Sequence, residues 1–166
     1  MASETKQAII ITAWPCVGKT FFAVNNAKEE CPPIHLDSSA YDLKSSAGTE
    51  KYVEHIESEA RGSPNSILLV SSHAEVRELL RRKGLKYVAV SVNHLEDWKK
   101  RQLRRLNDDP EHKNAHQGLL KKGIAEWDTW KAREAGEKGA KIVLGNEEYL
   151  SDIGVEQIHN LWKAYL

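Results

Sequence analysis

The sequence has little of what marks several large classes of protein. Only two cysteines are present, Cys16 and Cys31, which are too few for a disulfide framework and lack the spacing of a metal-binding pair. No apolar run is long enough to cross a bilayer, and the first residues do not form a signal-peptide pattern. We therefore expect a cytoplasmic protein of a reducing compartment, without a membrane partner.

An excess of charge of either sign is also absent. The 24 lysine and arginine residues equal the 24 aspartate and glutamate residues, so the formal net charge is zero. Overall charge therefore gives no argument for a nucleic-acid partner, although a local basic face is compatible with one. A chain of 166 residues, 40% of them hydrophobic, is long enough for one domain with a core, so a single domain over residues 1–166 is predicted.

The sequence does contain the pattern of a phosphate-binding loop of the Walker A type, between an apolar run and a segment that can continue as helix. The backbone N–H groups of such a loop surround the β- and γ-phosphates, with the positive end of the following helix behind them. The predicted nucleotide-binding residues are Ala13, Trp14, Pro15, Cys16, Val17, Gly18, Lys19 and Thr20. Lys19 would reach the β/γ oxygens of ATP, and the Thr20 hydroxyl would bind Mg²⁺.

Three residues of this loop, Ala13, Cys16 and Gly18, allow further predictions. Gly18 keeps the backbone close to the phosphate, whereas the first glycine of the usual motif is replaced by Ala13, whose methyl group fits if φ stays below zero. The alternative interpretation is a Gly-Lys-Thr sequence that caps an ordinary helix. A thiol near Lys19 at a helix start also predicts a lowered pKa for Cys16.

Strands and helices alternate along the chain with short connections. The predicted strands are residues 8–12, 34–39, 67–70, 86–92 and 140–144. The first is apolar without alternation, which is typical of a sheet covered on both faces, and the second ends in an acidic, hydroxyl-rich turn. The predicted helices are residues 19–30, 50–60, 74–82, 95–106, 119–135 and 155–165, with polar connections at 42–48 and 107–117. This order predicts an α/β P-loop NTPase fold: a five-stranded, doubly wound parallel sheet with helices on both faces and a helical lid at about residues 95–135.

Asp37 follows the second predicted strand, at the edge where an open α/β sheet has its ligand crevice. There its carboxylate would orient or deprotonate an acceptor hydroxyl, or hold Mg²⁺ through water. The alternative is a capping side chain that begins the Ser38-Ser39 turn. We favour the catalytic and metal-binding role, and Ser38 and Ser39 are candidates for substrate contacts or for turn residues.

The third strand leads to Ser71, where many P-loop NTPases carry a Walker B aspartate. A motor or switch ATPase normally needs that carboxylate for Mg²⁺, so its absence favours a small-molecule kinase, with metal placement left to Thr20 and Asp37. His73 and Arg77 follow one helical turn apart and are candidate substrate-binding residues, since a guanidinium matches phosphate geometry. For Arg77 the alternative is an ordinary surface arginine.

Arg101 and Arg105 lie four residues apart on one face of the predicted helix 95–106. In a P-loop kinase this helix would belong to the lid, and the two arginines would neutralise charge during phosphoryl transfer. The alternatives are a solvated basic face or a nucleic-acid contact strip. That strip would add Lys99, Lys100 and Arg104.

Histidine and tryptophan residues give weaker signals. His112 and His116 have the i, i+4 spacing of two zinc ligands, but no third ligand of suitable spacing accompanies them, so an exposed polar stretch is the preferred interpretation. Trp127 and Trp130 are predicted core residues under the lid. Trp14 would pack either on the acceptor or against a neighbouring helix.

Together these motifs resemble those of the small P-loop kinases of phage genomes, which are related to nucleoside monophosphate kinases. The matching segments are Ala13-Trp14-Pro15-x-x-Gly18-Lys19-Thr20, Leu36-Asp37-Ser38-Ser39, Val70-Ser71-Ser72-His73-x-x-Val76-Arg77 and Arg101-x-x-x-Arg105. The resemblance implies a phage-encoded kinase, active in a bacterial host, that transfers the γ-phosphoryl group of ATP to a nucleotide-like acceptor.

The same resemblance suggests an acceptor. Some members are similar to kinases of the hydroxymethyl group of 5-hydroxymethyluracil in DNA, which makes that group the first expected acceptor. The predicted basic helix would supply a surface that follows the DNA phosphates. A free nucleoside or nucleotide comes second, and a non-catalytic ATP-binding module is the alternative from a different class.

Overall fold

Five parallel strands form the centre of the fold. The computed structural model describes residues 6–137 and 139–165, so the extreme ends of the predicted domain 1–166 lie outside the described residues. The strands are β1 (Ile9–Ala13), β2 (Ile34–His35), β3 (Ile67–Ser71), β4 (Val88–Val92) and β5 (Lys141–Leu144). Their order across the sheet is β2-β3-β1-β4-β5, and every pairing is parallel. The predicted five-stranded parallel sheet is confirmed.

The central strands are buried on both faces, which explains their unbroken apolar sequences. Ile9 pairs with Ile67 and Ile11 pairs with Val88, so β1 lies between β3 and β4. All residues of these three strands are buried. Because successive side chains point to opposite faces, Ile9 and Ile11 join one core cluster while Ile10 joins the other.

Helices cover both faces of this sheet. They are α1 (Lys19–Asn25), α2 (Ser46–Gly62), α3 (Ala74–Arg82), α4 (Leu95–Asp108), α5 (Lys113–Ala135), α6 (Leu150–Ile153) and α7 (Val155–Tyr165). α2 and α3 bury Val53 and Val76 on one face, while α4, α5 and α7 bury Trp98, Trp127 and Ile158 on the other. Among the described residues no helix is both long and apolar enough to span a membrane.

Two early elements are shorter than predicted. α1 ends at Asn25 rather than near residue 30, because Nδ2 of Asn26 donates to the Phe22 carbonyl over 2.9 Å and the Asn26 backbone leaves the helical region. β2 covers only Ile34–His35, and after Leu36 and Asp37 a 3₁₀ turn over Ser38–Ala40 lies where an acidic, hydroxyl-rich turn was predicted. The predicted strand and helix are therefore present, but the polar residues that follow each of them form turns.

Two later helices begin earlier than predicted, inside polar stretches. α2 begins at Ser46, within the predicted connection 42–48, because Ser45 Oγ accepts a hydrogen bond from the Gly48 backbone over 3.0 Å and caps the helix. The second predicted connection, residues 107–117, is a 3₁₀ turn at Pro110–His112 followed at once by α5. Both helix starts were missed because the residues around them are mostly polar.

α4 and α5 pack together over the predicted lid region. Gly123 of α5 lies against Trp98 of α4, and a Cβ atom on Gly123 would come within 2.1 Å of the Trp98 indole. Trp127 is buried and Trp130 is half-buried in the same aromatic group, so the prediction that these two tryptophans belong to the core is confirmed. Trp14 of the loop after β1 packs edge-on against Trp127 and Trp130, at ring-centroid distances of 5.4 and 5.6 Å.

Candidate active site

The loop between β1 and α1 ends in a glycine whose backbone conformation side chains rarely adopt. Gly18 caps α1 with a φ of 89°, in the left-handed region. A Cβ atom there would also lie 3.3 Å from Cδ1 of Tyr149, so the left-handed backbone favours glycine and a larger residue would have to displace the tyrosine ring slightly. The short helix α6 supports the loop from the side, since the Leu150 backbone donates to the Val17 carbonyl over 3.1 Å. No pattern in the sequence predicts α6.

Cys16 is the second left-handed residue of the loop, with a φ of 66°. Its Sγ donates to Oε1 of Gln102 over 2.8 Å, and Nε2 of Gln102 donates to the His116 carbonyl over 3.0 Å, so the thiol links the loop to α4 and α5. Burial raises the pKa of Cys16 by more than the charge of Arg105 lowers it. The predicted lowering of this pKa is therefore wrong, because the thiol is enclosed by protein.

Ala13 and Lys19 face each other across the loop. Ala13 is the buried last residue of β1 and its φ is not positive, so its methyl group is accommodated. The Ala13 carbonyl accepts a hydrogen bond from Nζ of Lys19 over 3.1 Å. Burial, and then the charge of Arg105, lower the Lys19 pKa to about 8, against the weaker opposing effects of Cys16 and Asp37. Lys19 is thus mostly a cation at neutral pH, but one that is readily neutralised above it.

A cleft of about 670 Å³ opens above this loop at the carboxyl ends of β1, β2 and β3. The predicted site residues in its walls are Ala13, Pro15, Cys16, Gly18, Lys19, Thr20, Asp37, Ser38, His73, Arg101 and Arg105. The predicted site residues that do not line it are Trp14, Val17, Ser39 and Arg77. The fold therefore brings the phosphate-loop residues, an acidic residue and lid-region arginines to one cavity, which we name the cleft.

Asp37 caps the turn and also lines the cleft. Its Oδ1 accepts a hydrogen bond from the Ser39 backbone over 2.9 Å, which is the capping contact expected of an Asp-Ser-Ser turn. This bond is the main cause that lowers the Asp37 pKa, and the charges of His35 and Lys19 lower it further. A hydrogen bond from the Ser39 side chain also lowers the Asp37 pKa, so the carboxylate is ionised and lies at the wall of the cleft.

Tyr52 of α2 positions the ends of β2 and β3 beneath the cleft, and it was not among the predicted site residues. Its hydroxyl donates to the Leu36 carbonyl over 2.7 Å and accepts from the Ser71 backbone over 3.0 Å. The ends of β2 and β3 are thereby fixed relative to each other, just before Asp37 and His73. Burial raises the Tyr52 pKa to about 12, so the hydroxyl keeps its proton. An aromatic residue on the apolar side of α2 was the available signal.

Ser71 and His73 form a polar pair where β3 ends. Ser71 Oγ is hydrogen-bonded to Nδ1 of His73. Burial and the positive charge of Lys122 lower the His73 pKa, so the imidazole is neutral at pH 7. Nε2 of His73 has no hydrogen-bond partner among residues 6–137 and 139–165. A neutral ring nitrogen is therefore available at the edge of the cleft.

Arg101 is fixed in place by three neighbours. Its Nε donates to Oδ2 of Asp97 over 2.9 Å, its Nη2 donates to the Gly145 carbonyl over 3.0 Å, and its guanidinium lies 4.3 Å from the ring centre of Tyr149. Arg101 is only 4% exposed, and within the described part of the chain its Nη1 has no hydrogen-bond partner. Asp97 was not among the predicted site residues, although an aspartate four residues before an arginine on a helix is a recognisable pairing signal.

The next arginines of α4 remain closer to solvent. Arg105 is exposed and lines the cleft, and its charge acts on both Lys19 and Cys16. Arg104 also lines the cleft and donates from Nη1 to the Tyr149 hydroxyl over 3.2 Å. Three arginines of α4 therefore contribute to the walls of the cleft.

Arg77 does not line the cleft but lines a smaller neighbouring cavity, so its substrate-binding role stays a prediction, whereas the alternative of an ordinary surface arginine is wrong. It is buried rather than a surface residue, and its Nη1 forms an ion pair with Glu137. The hydroxyl of Tyr87 donates to the same carboxylate over 2.8 Å. Glu137 lies sixty positions along the chain from Arg77, too far for a local pattern to reveal the pair.

His112 and His116 share a carboxylate. Asp109 lies 3.1 Å from Nδ1 of His112 and 2.9 Å from Nε2 of His116. His112 is exposed while His116 is buried, so only the first fits the predicted exposed polar stretch. Across residues 6–137 and 139–165, no group of three or more His, Cys, Asp and Glu side chains is arranged to hold a metal ion.

Comparisons with known proteins establish the fold. No protein-family model matches the sequence, and no curated protein matches it. Among solved structures, the chain is similar to a gluconokinase from Sinorhizobium meliloti, with a TM-score of 0.55 and 14% sequence identity over 98% of this chain and 95% of that chain. The likeness is one of architecture: this chain has the α/β fold of P-loop kinases.

Proposed function

We propose that the protein is an ATP- and Mg²⁺-dependent kinase that transfers the γ-phosphoryl group to a nucleotide-like acceptor. One observation carries the proposal: a single cleft contains the phosphate loop with Lys19, the carboxylate of Asp37 and the α4 arginines. Phosphoryl transfer is catalysed mainly by positioning and by electrostatic stabilisation, and these groups supply both.

The donor nucleotide would bind with its β- and γ-phosphates in the loop of residues 13–20. Lys19 supplies a positive charge, and the loop amides and the start of α1 supply N–H groups. The Thr20 hydroxyl is exposed at the cleft and fits one Mg²⁺ ligand, while Asp37 would act through water. Mg²⁺ usually takes its remaining ligands from phosphates and water, which agrees with the lack of a larger carboxylate cluster in the described residues. The ion would neutralise phosphate charge.

The acceptor hydroxyl would react at the boundary between the loop and Asp37. Its oxygen forms a bond to the γ-phosphorus while the Asp37 carboxylate takes the hydroxyl proton. The bond from the γ-phosphorus to the bridging oxygen breaks, ADP leaves with the electron pair, and the proton then passes to solvent. Arg101, through Nη1, and Arg105 would balance the negative charge in the transition state.

For the acceptor, we propose first the hydroxymethyl group of 5-hydroxymethyluracil in DNA, and second a free nucleoside or nucleotide. The first rests on the motif resemblance and on the exposed cations of α4 beside the cleft, which would follow a phosphate backbone. The protein of similar fold is a gluconokinase, and a small-molecule acceptor of this chain would be a free nucleoside or nucleotide.

Labelled ATP tests the proposal directly. Transfer from γ-labelled ATP is measured with an oligonucleotide containing 5-hydroxymethyluracil, with the free nucleoside, and without acceptor. Acceptor-dependent transfer that Lys19→Ala abolishes and Lys51→Ala preserves is expected, since Lys51 is an exposed residue of α2 outside the cleft. Slow hydrolysis that is equal with every acceptor would overturn the kinase assignment and favour a non-catalytic ATP-binding module. A steep loss of transfer with salt on DNA alone would identify the polymer as substrate.

A further inference from the structure

A second cavity opens beside the cleft and shares part of its wall. This cavity, which we name the side pocket, has a volume of about 270 Å³. It lies between the loop after β1, the start of α3 and one side of α5. The residues that line both cavities are Pro15, Ser72, His73 and Leu119. A ligand in the side pocket would therefore adjoin the bound phosphates.

The side pocket has aromatic walls that are held in place. Trp14 and Trp130 line it, with ring centroids 5.6 Å apart and planes inclined at 68°. Trp14 is further fixed by the edge of Trp127, and its backbone donates to the Val90 carbonyl over 3.0 Å. Rigid indoles present flat apolar surfaces at little entropic cost, which suits a planar ring.

The rim of the side pocket carries both donors and acceptors. Glu75 and Glu126 supply carboxylates, and Lys122 and Arg133 supply cations, all of them exposed. The buried Arg77 also lines the side pocket, but its charge is paired with the carboxylate of Glu137. The balanced charge does not favour a polyanion. It matches a neutral ring whose edge has both N–H and C=O groups, as nucleobases have.

His73 stands at the junction of the two cavities. Its Nδ1 is engaged by Ser71, which leaves Nε2 as the ring nitrogen for a ligand. The lowered pKa of His73 keeps the ring neutral, so it would bind a hydroxyl group rather than an anion. A hydroxyl group on a ring in the side pocket would pass this histidine on its way to the cleft.

We propose that the side pocket is the acceptor subsite, and that it binds one nucleobase-like ring whose hydroxyl group reaches the cleft past His73. The proposal rests on the kinase function proposed above and adds the place and shape of its acceptor. Pockets for drug-sized ligands measure roughly 300–1,000 Å³, so the side pocket admits a single ring and no duplex. A base within DNA would enter only after rotating out of its stack.

The test uses 5-hydroxymethyl-2′-deoxyuridine as probe and two variants of residues that line the side pocket but not the cleft. Ala74→Leu would fill it at the half-buried first residue of α3, and Glu126→Ala would remove a rim acceptor. Both should raise the acceptor KM roughly tenfold, the effect of losing one good contact, with the KM for ATP unchanged. Ile124→Ala is the control, since this exposed residue of α5 lines neither cavity.

Binding without turnover gives a second readout, because the wall tryptophans should report the probe by fluorescence quenching. If the probe quenches the fluorescence of the wild type and Ala74→Leu weakens this quenching, the subsite is supported even when no transfer occurs. The missing transfer would then count against the kinase function alone. Transfer and quenching that neither variant alters would overturn the subsite and leave the kinase function standing. An absence of quenching in the wild type would also overturn it.

His73 is tested with a matched pair of ligands. His73→Asn should weaken binding of the hydroxymethyl nucleoside several-fold, the range of one hydrogen bond, and leave binding of thymidine unchanged. Equal loss for both ligands would show that His73 acts on the shape of the pocket, and its proposed contact with the hydroxyl group would be wrong.

Discussion

The guanidinium of Arg101 is anchored to the carboxylate of Asp97, with Nε donating to Oδ2 over 2.9 Å. The other carboxylate oxygen accepts from the Glu147 backbone over 3.2 Å, so the same aspartate joins α4 to the connection after β5. Arg101 is therefore a rigid part of the cleft wall. Arg105, one turn further, is exposed and interacts with the Cys16 thiol. Lid movement, if it accompanies catalysis, is expected to involve Arg105 more than Arg101.

Removal of Asp97 should strongly destabilise the protein. Asp97→Ala leaves the Arg101 charge buried without its partner, and such losses cost about 3–5 kcal/mol. The control is Glu96→Ala, since the neighbouring Glu96 is mostly exposed and pairs with Lys99 at the surface, where a change of less than about 1 kcal/mol is expected. Urea unfolding followed by circular dichroism gives both values, and equal small effects would mean that the Arg101 charge is solvated.

The contact of Gly123 with Trp98 predicts opposite effects for two glycine substitutions in one helix. Gly123→Ala would place a methyl group within 2.1 Å of the Trp98 ring, and overpacking of this kind costs about 1–3 kcal/mol. Gly118→Ala meets no atom within 4 Å and should stabilise α5 by about 0.5–1 kcal/mol. Thermal unfolding of the two variants checks the difference in sign. Stabilisation by both would show that α5 does not approach α4 this closely.

Nucleotide affinity should fall as the pH rises above about 8. In the protein without nucleotide, Lys19 has a pKa of about 8, lowered first by burial and then by the charge of Arg105. A bound polyphosphate favours the charged lysine and raises this pKa. Above pH 8 nucleotide binding must therefore be accompanied by protonation of Lys19, and this requirement lowers the nucleotide affinity. Below this pH the lysine is already protonated, and no such loss is expected.

Titration calorimetry with ADP between pH 7 and 9.5, in buffers of different ionisation enthalpy, measures both the affinity and the proton uptake. Lys19→Arg provides the control, since arginine stays charged throughout this range and should remove the pH dependence. If wild type and Lys19→Arg lost affinity in parallel, another group would be responsible.

The two cysteines should differ in reactivity. Burial raises the pKa of Cys16 and its Sγ is hydrogen-bonded to Gln102, whereas Cys31 is exposed. Because the thiolate is the reactive form, iodoacetamide at pH 7.5 should modify Cys31 at least about tenfold faster. Mass spectrometry of the Cys16→Ser and Cys31→Ser variants measures each rate separately. Faster modification of Cys16 would support the original prediction that its thiol has a lowered pKa.

The alternation of elements was predictable because each strand and most helices carry their own local pattern. β1, β3 and β4 are buried on both faces and so have unbroken apolar sequences, and α3 and α7 were located to the residue. α5 was predicted from residue 119, so its first six residues were missed. Its first turns, from Lys113, contain polar residues, and only one of them, His116, is buried.

The phosphate loop was recognised from sequence, but its supports were not. Tyr149, whose ring lies beside Gly18, is 131 positions away from it in the chain, and Gln102 is 86 positions from Cys16. Such contacts arise from tertiary packing and leave no periodic signal. The ion pair of Arg77 could not be predicted for the same reason, because its partner Glu137 belongs to a distant part of the chain.

Binding of Mg²⁺ and ADP to the loop tests the central claim most directly. By titration calorimetry, the wild type should bind one equivalent, Lys51→Ala should match it, and Lys19→Ala should bind roughly tenfold to a hundredfold more weakly, as expected for the loss of a charged hydrogen bond. Binding by Lys19→Ala as tight as that of the wild type, or no binding by the wild type, would contradict the assignment of the loop as a nucleotide site.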